Sequence, residues 1–357
     1  MKRLHLAALL AAFFIFLALS VSIRQAVLML VGVGMGAALA AARFGFTTGW
    51  RQLIEQRNPQ GVTGQVLLLA LASLAALPLL GQFSELHAAL GPPSVSLLVG
   101  AFVFGLTMQI ADGCGSGSLY KAGLGVPLNM GILPLFALGS FLGSVHLDSW
   151  LSLGQTDPVS FSANLGTGGA LVLTLALLAA VLVAVRLWVG AGQSWFDKRW
   201  VWGAVALAVL ATLNLLLAGQ PWGVVYGFGL WGAKAATALG LFDPAANAFW
   251  GDAGHAQRLS QTLLLDVTSI TNIGILAGAL WVAARRPRPS QPLSGQQWLV
   301  GMGAGFLLGY SSRLAFGCNV GAMVSGISTG SLHGWIWVPL AFAGTLVGLR
   351  VRRYFKF

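Results

Sequence analysis

Apolar stretches long enough to cross a lipid bilayer recur along the whole chain. A hydrocarbon core about 30 Å thick requires about 20 apolar residues in a helix. Only 8% of the 357 residues are charged, whereas soluble domains have about 25%. The apolar runs leave no room for a soluble domain, so we predict an all-α polytopic membrane protein. They lie near residues 4–22, 26–42, 64–80, 94–111, 129–145, 169–190, 200–218, 222–240, 262–283, 297–313 and 334–350.

The first apolar run has features of both a signal peptide and a retained signal anchor. Lys2 and Arg3 precede the apolar residues 6–21, as the basic region of a signal peptide precedes its apolar region. A second apolar run begins at Ala26, with no soluble region between the two. We therefore favour a retained N-terminal signal anchor over residues 1–25.

Most basic residues stand in short clusters at the ends of apolar runs. The net charge of +11 could suggest a nucleic acid partner, but no RNA-binding or DNA-binding motif accompanies it. Basic residues that flank spans are typical of cytoplasmic loops. We expect a lipid bilayer as the surroundings and no nucleic acid. The clusters are Lys2 with Arg3, Arg43 with Arg51 and Arg57, Lys198 with Arg199, Arg285 with Arg286 and Arg288, and Arg350 with Arg352, Arg353 and Lys356.

The sequence contains an internal duplication. A shift of 204 residues aligns Gly113 and Cys114 with Gly317 and Cys318 without a gap. A weaker match at an offset of 195 pairs glycines near residue 32 with glycines near residue 227. These matches predict a first half, residues 26–147, a connecting transmembrane segment, residues 148–199, a second half, residues 200–350, and a basic cytoplasmic tail, residues 351–357.

Loop charges indicate that the two halves are inverted relative to each other. The loop after 26–42 is basic, whereas its counterpart, 241–261, carries Asp243 and Asp252. The loop 81–93 has no lysine or arginine, whereas its counterpart, 284–294, has three arginines. Because basic loops stay in the cytoplasm, equivalent loops prefer opposite sides. We therefore predict an inverted repeat with about nine core transmembrane spans, short re-entrant elements and cytoplasmic termini. This count holds if 200–218 and 222–240 together cross once.

Each half places one cysteine directly after a glycine at the end of an apolar run, in the stretches ADGCGSGS (111–118) and AFGCNVG (315–321). Glycines here would break the helix, and free backbone N–H groups are tolerated in a membrane only where they face protein or a watery cavity. The start of a following half-helix attracts an anion. We therefore predict an anion site at the repeat interface. The substrate-binding candidates are Cys114, Cys318, Gly113, Gly115, Ser116, Gly117, Gly317 and Asn319.

The two cysteines can act as single thiols or as one pair. They are too few for a disulfide framework and too far from histidines for a zinc or iron–sulfur site, so we expect no metal and no cofactor. A buried cysteine is often a small core residue, but duplication at matched positions favours a functional role. A thiol is a soft, polarisable contact for a sulfur atom. The sequence leaves open whether each is a thiol or a thiolate.

Arg313 is a further substrate-binding candidate because it lies at membrane depth, five residues before Cys318. An ionisable residue there is a functional candidate by default, and its charge could attract a dianion. It could equally reach an interface or pair with Asp112 or Asp266. Weaker candidates at depth are Lys121, Lys234 and Asp112, and the histidines at segment ends, His146 and His333, are expected at the membrane interface.

These motifs resemble the YeeE/YedE family of sulfur transport proteins, whose members take up thiosulfate. The resemblance covers roughly residues 26–350 and is carried by FGL (104–106), ADGCGSGSLYKAG (111–123), RLAFGCNVG (313–321) and SLHGW (331–335). It implies an hourglass-shaped inverted-repeat transporter in which cysteines contact thiosulfate in turn, and the matching positions are Cys114 and Cys318. It also implies a bacterial inner membrane and a cytosolic sulfur-accepting partner. A third family cysteine is missing: Gly45 stands in its place.

Two other functions stay open at this point. Cys114 and Cys318 could form a reversible disulfide in a membrane thiol–disulfide oxidoreductase, which requires their sulfur atoms within bonding distance. The chain could also be a non-transporting subunit of a membrane complex. No Gly-Lys-Ser/Thr loop occurs, so ATP hydrolysis is not expected. We therefore predict a transporter and not an enzyme, with thiosulfate or a related small sulfur anion as its substrate.

Overall fold

In the computed structural model, residues 3–284 and 292–357 are described, and they contain helices and no β-sheet. The predicted all-α polytopic fold is confirmed. A π-helix, Asn319–Gly326, precedes the last α-helix. In chain order the α-helices are α1 (Arg3–Ser20), α2 (Ile23–Ala42), α3 (Phe46–Gln56), α4 (Gln60–Gln82), α5 (Val95–Ile110), α6 (Gly115–Gly123), α7 (Pro127–Val145), α8 (Leu147–Leu151), α9 (Phe161–Val189), α10 (Lys198–Ala218), α11 (Val225–Ala238), α12 (Ala253–Ser260), α13 (Val267–Ala283), α14 (Gly295–Leu314) and α15 (Leu332–Tyr354).

Eight helical stretches among the described residues are long and apolar enough to cross a membrane. They are α1, α2 with α3, α4, α5 with α6, α7, α9, α10 and α15. Helix α11 has 14 residues, which at about 1.5 Å per residue is too short for a core about 30 Å thick. It therefore matches the short element expected after α10. The total of about nine core spans stays a prediction.

Helix α1, the predicted anchor, lies at the edge of the bundle. Leu6 and Leu17 are its buried residues, and the Arg3 guanidinium lies 5.3 Å from the centre of the Trp281 ring. This peripheral position fits a segment that is added to a self-contained core. Two of the basic clusters fall partly or wholly outside the described residues, at Lys2 and at Arg285, Arg286 and Arg288.

Three helix pairs pack most extensively: α2 with α13, α5 with α15 and α7 with α14. The last two pairs carry the cysteine turns at the ends of α5 and α14. Glycines bring the paired backbones into contact: a Cβ on Gly105 would overlap the carbonyl oxygen of Ala341, and one on Gly309 that of Phe136. The offset of 204 maps Gly105 onto Gly309, α5 onto α14 and α7 onto α15. The α5–α15 pair of helices therefore corresponds to the α14–α7 pair, as the duplication predicts. The inverted orientation and the boundaries of the halves stay predictions.

The first and last residues of α5 lie at opposite ends of the bundle. At the start of α5, the Ser96 hydroxyl donates to the carbonyl oxygen of Leu314 at 2.8 Å, and at its end Arg352 donates to that of Gln109 at 2.8 Å. We call these the Arg313 end and the Asp112 end. The 16 residues of α5 separate them by about 24 Å. Because Arg51 and the basic C-terminus lie at the Asp112 end, the charge pattern predicts that this end faces the cytoplasm.

Candidate functional site

The two cysteine turns have matching backbones. Asp112 and Phe316 occupy the left-handed region, with φ of 51° and 56°. Non-glycine residues are uncommon in this region, although Asp is tolerated there better than most. The next residues, Gly113 and Gly317, each donate their N–H to the carbonyl oxygen five residues earlier, at 3.0 Å and 2.8 Å. The helix breaks expected from the sequence are present in both halves.

Both turns require glycine for steric reasons. A Cβ on Gly317 would lie 2.5 Å from the backbone nitrogen of Ala322, and one on Gly113 would lie 2.9 Å from that of Ser118. Real Cβ atoms essentially never come this close to backbone. Gly317 also has a φ of 150°, which L side chains rarely adopt. The glycine before each cysteine therefore lets the turn fold back onto the following helix.

Each cysteine caps the helix that follows it. The Cys114 Sγ accepts a hydrogen bond from the Gly117 N–H at 3.4 Å, and the Cys318 Sγ accepts one from the Val320 N–H at 3.4 Å. The Ser116 hydroxyl lies 3.4 Å from the Cys114 sulfur. Both cysteines are free thiols and are 1% and 0% exposed. Each thiol therefore lies at a helix N-terminus, where the backbone carries partial positive charge.

Gly115 joins the two cysteine turns. It directly follows Cys114, and a Cβ built on it would lie 3.2 Å from the sulfur of Cys318. The same Cβ would lie 3.3 Å from Val224 and 3.6 Å from the ring of Phe136. The Cys318 thiol therefore packs against the backbone beside Cys114. The structure thus brings together candidates that stand 204 residues apart in the sequence.

Asn319, directly after Cys318, is the polar group whose surroundings most suggest a ligand. Its side chain is 0% exposed, and neither its Oδ1 nor its Nδ2 has a hydrogen-bond partner among the described residues. Such a buried, unpaired group costs about 1–3 kcal/mol. Asn319 is also the first residue of the π-helix, and π-helices are rare and frequent at functional sites. Its amide can donate to an anion held beside the thiols.

Arg313 lies in the last turn of α14, just before the turn that carries Cys318, and a cluster of aromatic rings surrounds it. Its guanidinium is 5.7 Å from the centre of the Tyr226 ring and 4.8 Å from that of Phe249. Its buried Nε has no hydrogen-bond partner, and no ion pair of Arg313 occurs in residues 3–284 and 292–357. The possible pairing with Asp266 is not seen, because that carboxylate accepts from Ser269 at the start of α13. A guanidinium without an anionic partner can bind an oxyanion.

His255 borders the same aromatic cluster, outside the spanning helices. It stacks on Phe249 with ring centres 4.0 Å apart, and its Nδ1 lies 3.0 Å from the Tyr226 hydroxyl. Burial, and then the positive charges of Arg313 and Arg258, lower the pKa of His255 to about 4. The ring is therefore neutral at neutral pH and adds no charge to this end.

Asp112 forms ion pairs with three cations at the opposite end, Arg51, Lys121 and Arg352. In the sequence, Asp112 and Lys121 are weaker candidates, and Arg51 and Arg352 indicate only topology. Their clustering in basic loops was the available signal. The other weaker candidate, Lys234, instead donates to the backbone carbonyls of Leu259 and Gln261.

His333 is buried inside the bundle and His146 is exposed, and the position of both at the membrane interface stays a prediction. The His333 ring is 1% exposed, and its Nδ1 lies 2.6 Å from the Ser331 hydroxyl. It is buried because it packs closely against Gly326 at the end of the π-helix. His146 lies 3.1 Å from the Tyr310 hydroxyl. Neither histidine lies among the residues that contact the two thiols.

An apolar cavity lies in another part of the bundle, and neither thiol lines it. It has a volume of about 350 Å³ and is bordered by α3, α4, α9, α15 and the π-helix, with Trp50, Leu69, Leu178, Met323 and Phe342 in its wall. Such a wall offers few partners to a small anion. The candidate site is instead the closely packed region around Cys114, Cys318 and Asn319, which would have to open for a ligand to pass.

Comparison with known sequences identifies the family. The sequence profile of the family described as Sulphur transport matches residues 41–347. The chain belongs to the sulphur transport family. The resemblance found in the cysteine motifs is thus confirmed, and membership indicates a transporter rather than an enzyme. It also supports a multi-pass membrane location.

Two relatives within the family carry the name thiosulfate transporter TsuA. The one from Spirochaeta thermophila is 28% identical over 265 residues, which cover 68% of this chain and 73% of that protein. The one from Escherichia coli is 23% identical over 330 residues, which cover 85% of this chain and 87% of that protein. The probable transporter YedE of Salmonella typhimurium is 27% identical over 172 residues, 44% of this chain but only 39% of that protein. The match therefore spans about two fifths of that YedE relative.

Proposed function

We propose that this protein imports thiosulfate, or a similar small sulfur-containing anion, across the bacterial inner membrane, with Cys114 and Cys318 as successive contacts. The observation that carries the proposal is the packing of the Cys318 sulfur against Gly115, directly beside Cys114. The buried, unpaired amide of Asn319, the residue after Cys318, supports it. The names of the two TsuA relatives support thiosulfate as the substrate. The thiol–disulfide alternative is not favoured by the family.

The site offers a small dianion both charge compensation and soft contacts. Two helix N-termini, those of α6 and the π-helix, begin at the two cysteines, and each N-terminus carries about half a positive charge. The Ser116 hydroxyl and the Asn319 amide add donors, and the four glycines Gly113, Gly115, Gly117 and Gly317 expose the backbone. The terminal sulfur of thiosulfate is polarisable, so a thiol suits it better than a hydroxyl does.

Arg313 is proposed as the first contact at the outer end. The charge pattern predicts that the Arg313 end faces away from the cytoplasm, and the guanidinium has no ion-pair partner in the described parts of the chain. Tyr226 and Phe249 hold it in place. A fixed guanidinium fork binds oxyanions with directed hydrogen bonds. It would therefore concentrate the anion at the entrance to the cysteine turns.

The place of the missing third cysteine is lined by hydroxyl groups. A Cβ on Gly45 would lie 2.9 Å from the Thr48 hydroxyl and 3.4 Å from the Tyr120 hydroxyl. A cysteine here would therefore require Thr48 to move. In this chain the hydroxyls of Thr48 and Tyr120 would meet the anion where relatives offer a thiol. The path then has two thiol contacts, and release passes to a cytosolic sulfur-accepting protein.

The test is thiosulfate uptake into bacterial cells that lack their own route. Cys114→Ser and Cys318→Ser keep the shape of the side chain but replace the soft sulfur with a smaller, harder oxygen, so each should lower uptake by about tenfold or more, the equivalent of about 1.4 kcal/mol. Gly303→Ala is the matched control, because a Cβ there meets open space. All variants are compared at equal amounts in the membrane. Wild-type uptake no higher than that of the empty vector would contradict the proposal.

A further inference from the structure

Four charged side chains meet at the Asp112 end, where the path through the cysteine turns would leave the bundle. Oδ1 of Asp112 lies 2.9 Å from Nη1 of Arg51 and 3.4 Å from Nη1 of Arg352. Its Oδ2 lies 2.6 Å from Nζ of Lys121. Lys121 also donates to the backbone carbonyl of Asp112. One carboxylate therefore links α3, α6 and α15.

The cluster carries an excess of two positive charges. Its three cations face one carboxylate, and the side chains of the cations are only 12% to 20% exposed. A neighbouring pair, Arg353 with Glu55 at 3.9 Å, adds no net charge. Poorly hydrated charges are weakly screened by salt. A divalent anion would neutralise the two excess charges, whereas a monovalent anion would neutralise one of them.

The cluster is directly connected to the thiol of Cys114. Asp112 and Cys114 flank Gly113 in the same turn, and Cys114 caps α6, the helix that carries Lys121. An anion released from Cys114 towards this end meets these charges next. The equivalent position in the second half is Phe316, so the Arg313 end has no carboxylate at this place. The two ends are therefore electrostatically different.

We propose that Arg51, Lys121 and Arg352 form an exit site for a divalent oxyanion, and that the Asp112 carboxylate is its gate, occupying the site until the anion displaces it. This inference rests on the proposed transport function. The carboxylate holds the three cations together in the closed state. An arriving dianion takes over their hydrogen bonds, which separates α3 and α15 from the turn and opens the end. No covalent bond forms or breaks.

The gate makes a distinctive prediction for Asp112→Asn. Asparagine tolerates the left-handed backbone as aspartate does, so the turn is kept while the internal anion is lost. Without an added anion, three unpaired cations should lower the unfolding temperature of the purified protein. With thiosulfate or sulfate, the variant should gain more stability than wild type, because the anion no longer competes with a carboxylate.

The experiment measures unfolding temperature in detergent against concentrations of thiosulfate, sulfate and nitrate at constant ionic strength. Since stabilisation grows as RT ln(1 + [L]/Kd), a tenfold tighter site in Asp112→Asn reaches any given gain in stability at a tenfold lower concentration of either dianion, and nitrate has little effect. Glu55→Gln is the control and should behave as wild type. An Asp112→Asn variant whose dianion response equals or falls below that of wild type would overturn the gate.

Adding Arg51→Gln to Asp112→Asn locates the site. The double variant should lose most of the extra dianion-dependent rise in unfolding temperature that Asp112→Asn shows. A rise as large as that of Asp112→Asn would place the anion elsewhere and overturn the exit site. Because binding is read in purified protein, it is independent of uptake. A strong dianion response in Asp112→Asn together with absent thiosulfate uptake would reject thiosulfate as cargo and keep the exit site.

Discussion

Replacing Asn319 with leucine should change stability and transport in opposite directions. The two side chains have the same number of heavy atoms, so the exchange removes both polar atoms with little change of shape. Neither polar atom has a hydrogen-bond partner among the described residues, and the side chain is 0% exposed. Removing this desolvation penalty should stabilise the resting protein by about 1–3 kcal/mol. Removing the donor beside Cys318 should also lower uptake.

The matched control is Gln65→Met, a buried amide in which both polar atoms are bonded. Its Oε1 accepts from the Trp50 indole at 2.9 Å, and its Nε2 donates to the carbonyl oxygen of Phe46 at 3.2 Å. Its replacement leaves two buried groups unpaired, so the variant should lose about 1–3 kcal/mol. The two amide variants should therefore move in opposite directions from wild type.

The assay is thermal unfolding of the purified protein, followed by thiosulfate uptake at equal membrane levels. A change of 1 kcal/mol corresponds to about 2 °C in a chain of this size, so Asn319→Leu should unfold a few degrees above wild type. A variant that unfolds below wild type would show that the Asn319 amide is bonded in the resting protein. Unchanged uptake would remove Asn319 from the anion path.

Further predictions concern the turn, the donor and the pH response. Gly317→Ala should destabilise the folded protein by about 1–3 kcal/mol through backbone strain, because the Cβ would lie 2.5 Å from the nitrogen of Ala322. The yield of folded protein after extraction into detergent measures this effect, and a yield equal to that of Gly303→Ala would refute it. Ser116→Ala should raise the thiosulfate concentration for half-maximal uptake about threefold to tenfold through loss of one hydrogen bond, and an unchanged value would exclude that contact. His255 has a folded pKa of about 4, below its usual 6.5, so stability should fall as pH drops from about 6.5 towards 4. Unfolding temperatures of wild type and His255→Gln across this range test it, and equal losses in both would contradict it.

The helices could be predicted because membrane spans are encoded locally. Runs such as 64–80 and 129–145 lie inside α4 and α7, since a bilayer requires continuous apolar segments. The helix breaks before Cys114 and Cys318 were also predictable from their glycines. The pairing of α5 with α15 was not, because it depends on which glycine surfaces meet in space.

The thiols were found as candidates, but the properties that matter most around them were not. The sequence marks Asn319 as a neighbour of Cys318, yet its lack of a hydrogen-bond partner is a property of packing. Arg51 and Arg352 stand far apart in the chain, and each was explained by topology alone. Their meeting at Asp112 requires three helices to converge, which periodicity and composition do not report.

The most direct test of the central claim is flux of radiolabelled thiosulfate into liposomes that contain only this purified chain. An outward-to-inward thiosulfate gradient supplies the driving force, so no acceptor protein is needed for initial uptake. Initial uptake above that of protein-free liposomes, lowered by Cys114→Ser and by Cys318→Ser, is the predicted result. Uptake equal to that of protein-free liposomes, with folded protein present, would contradict the proposal that this chain carries thiosulfate.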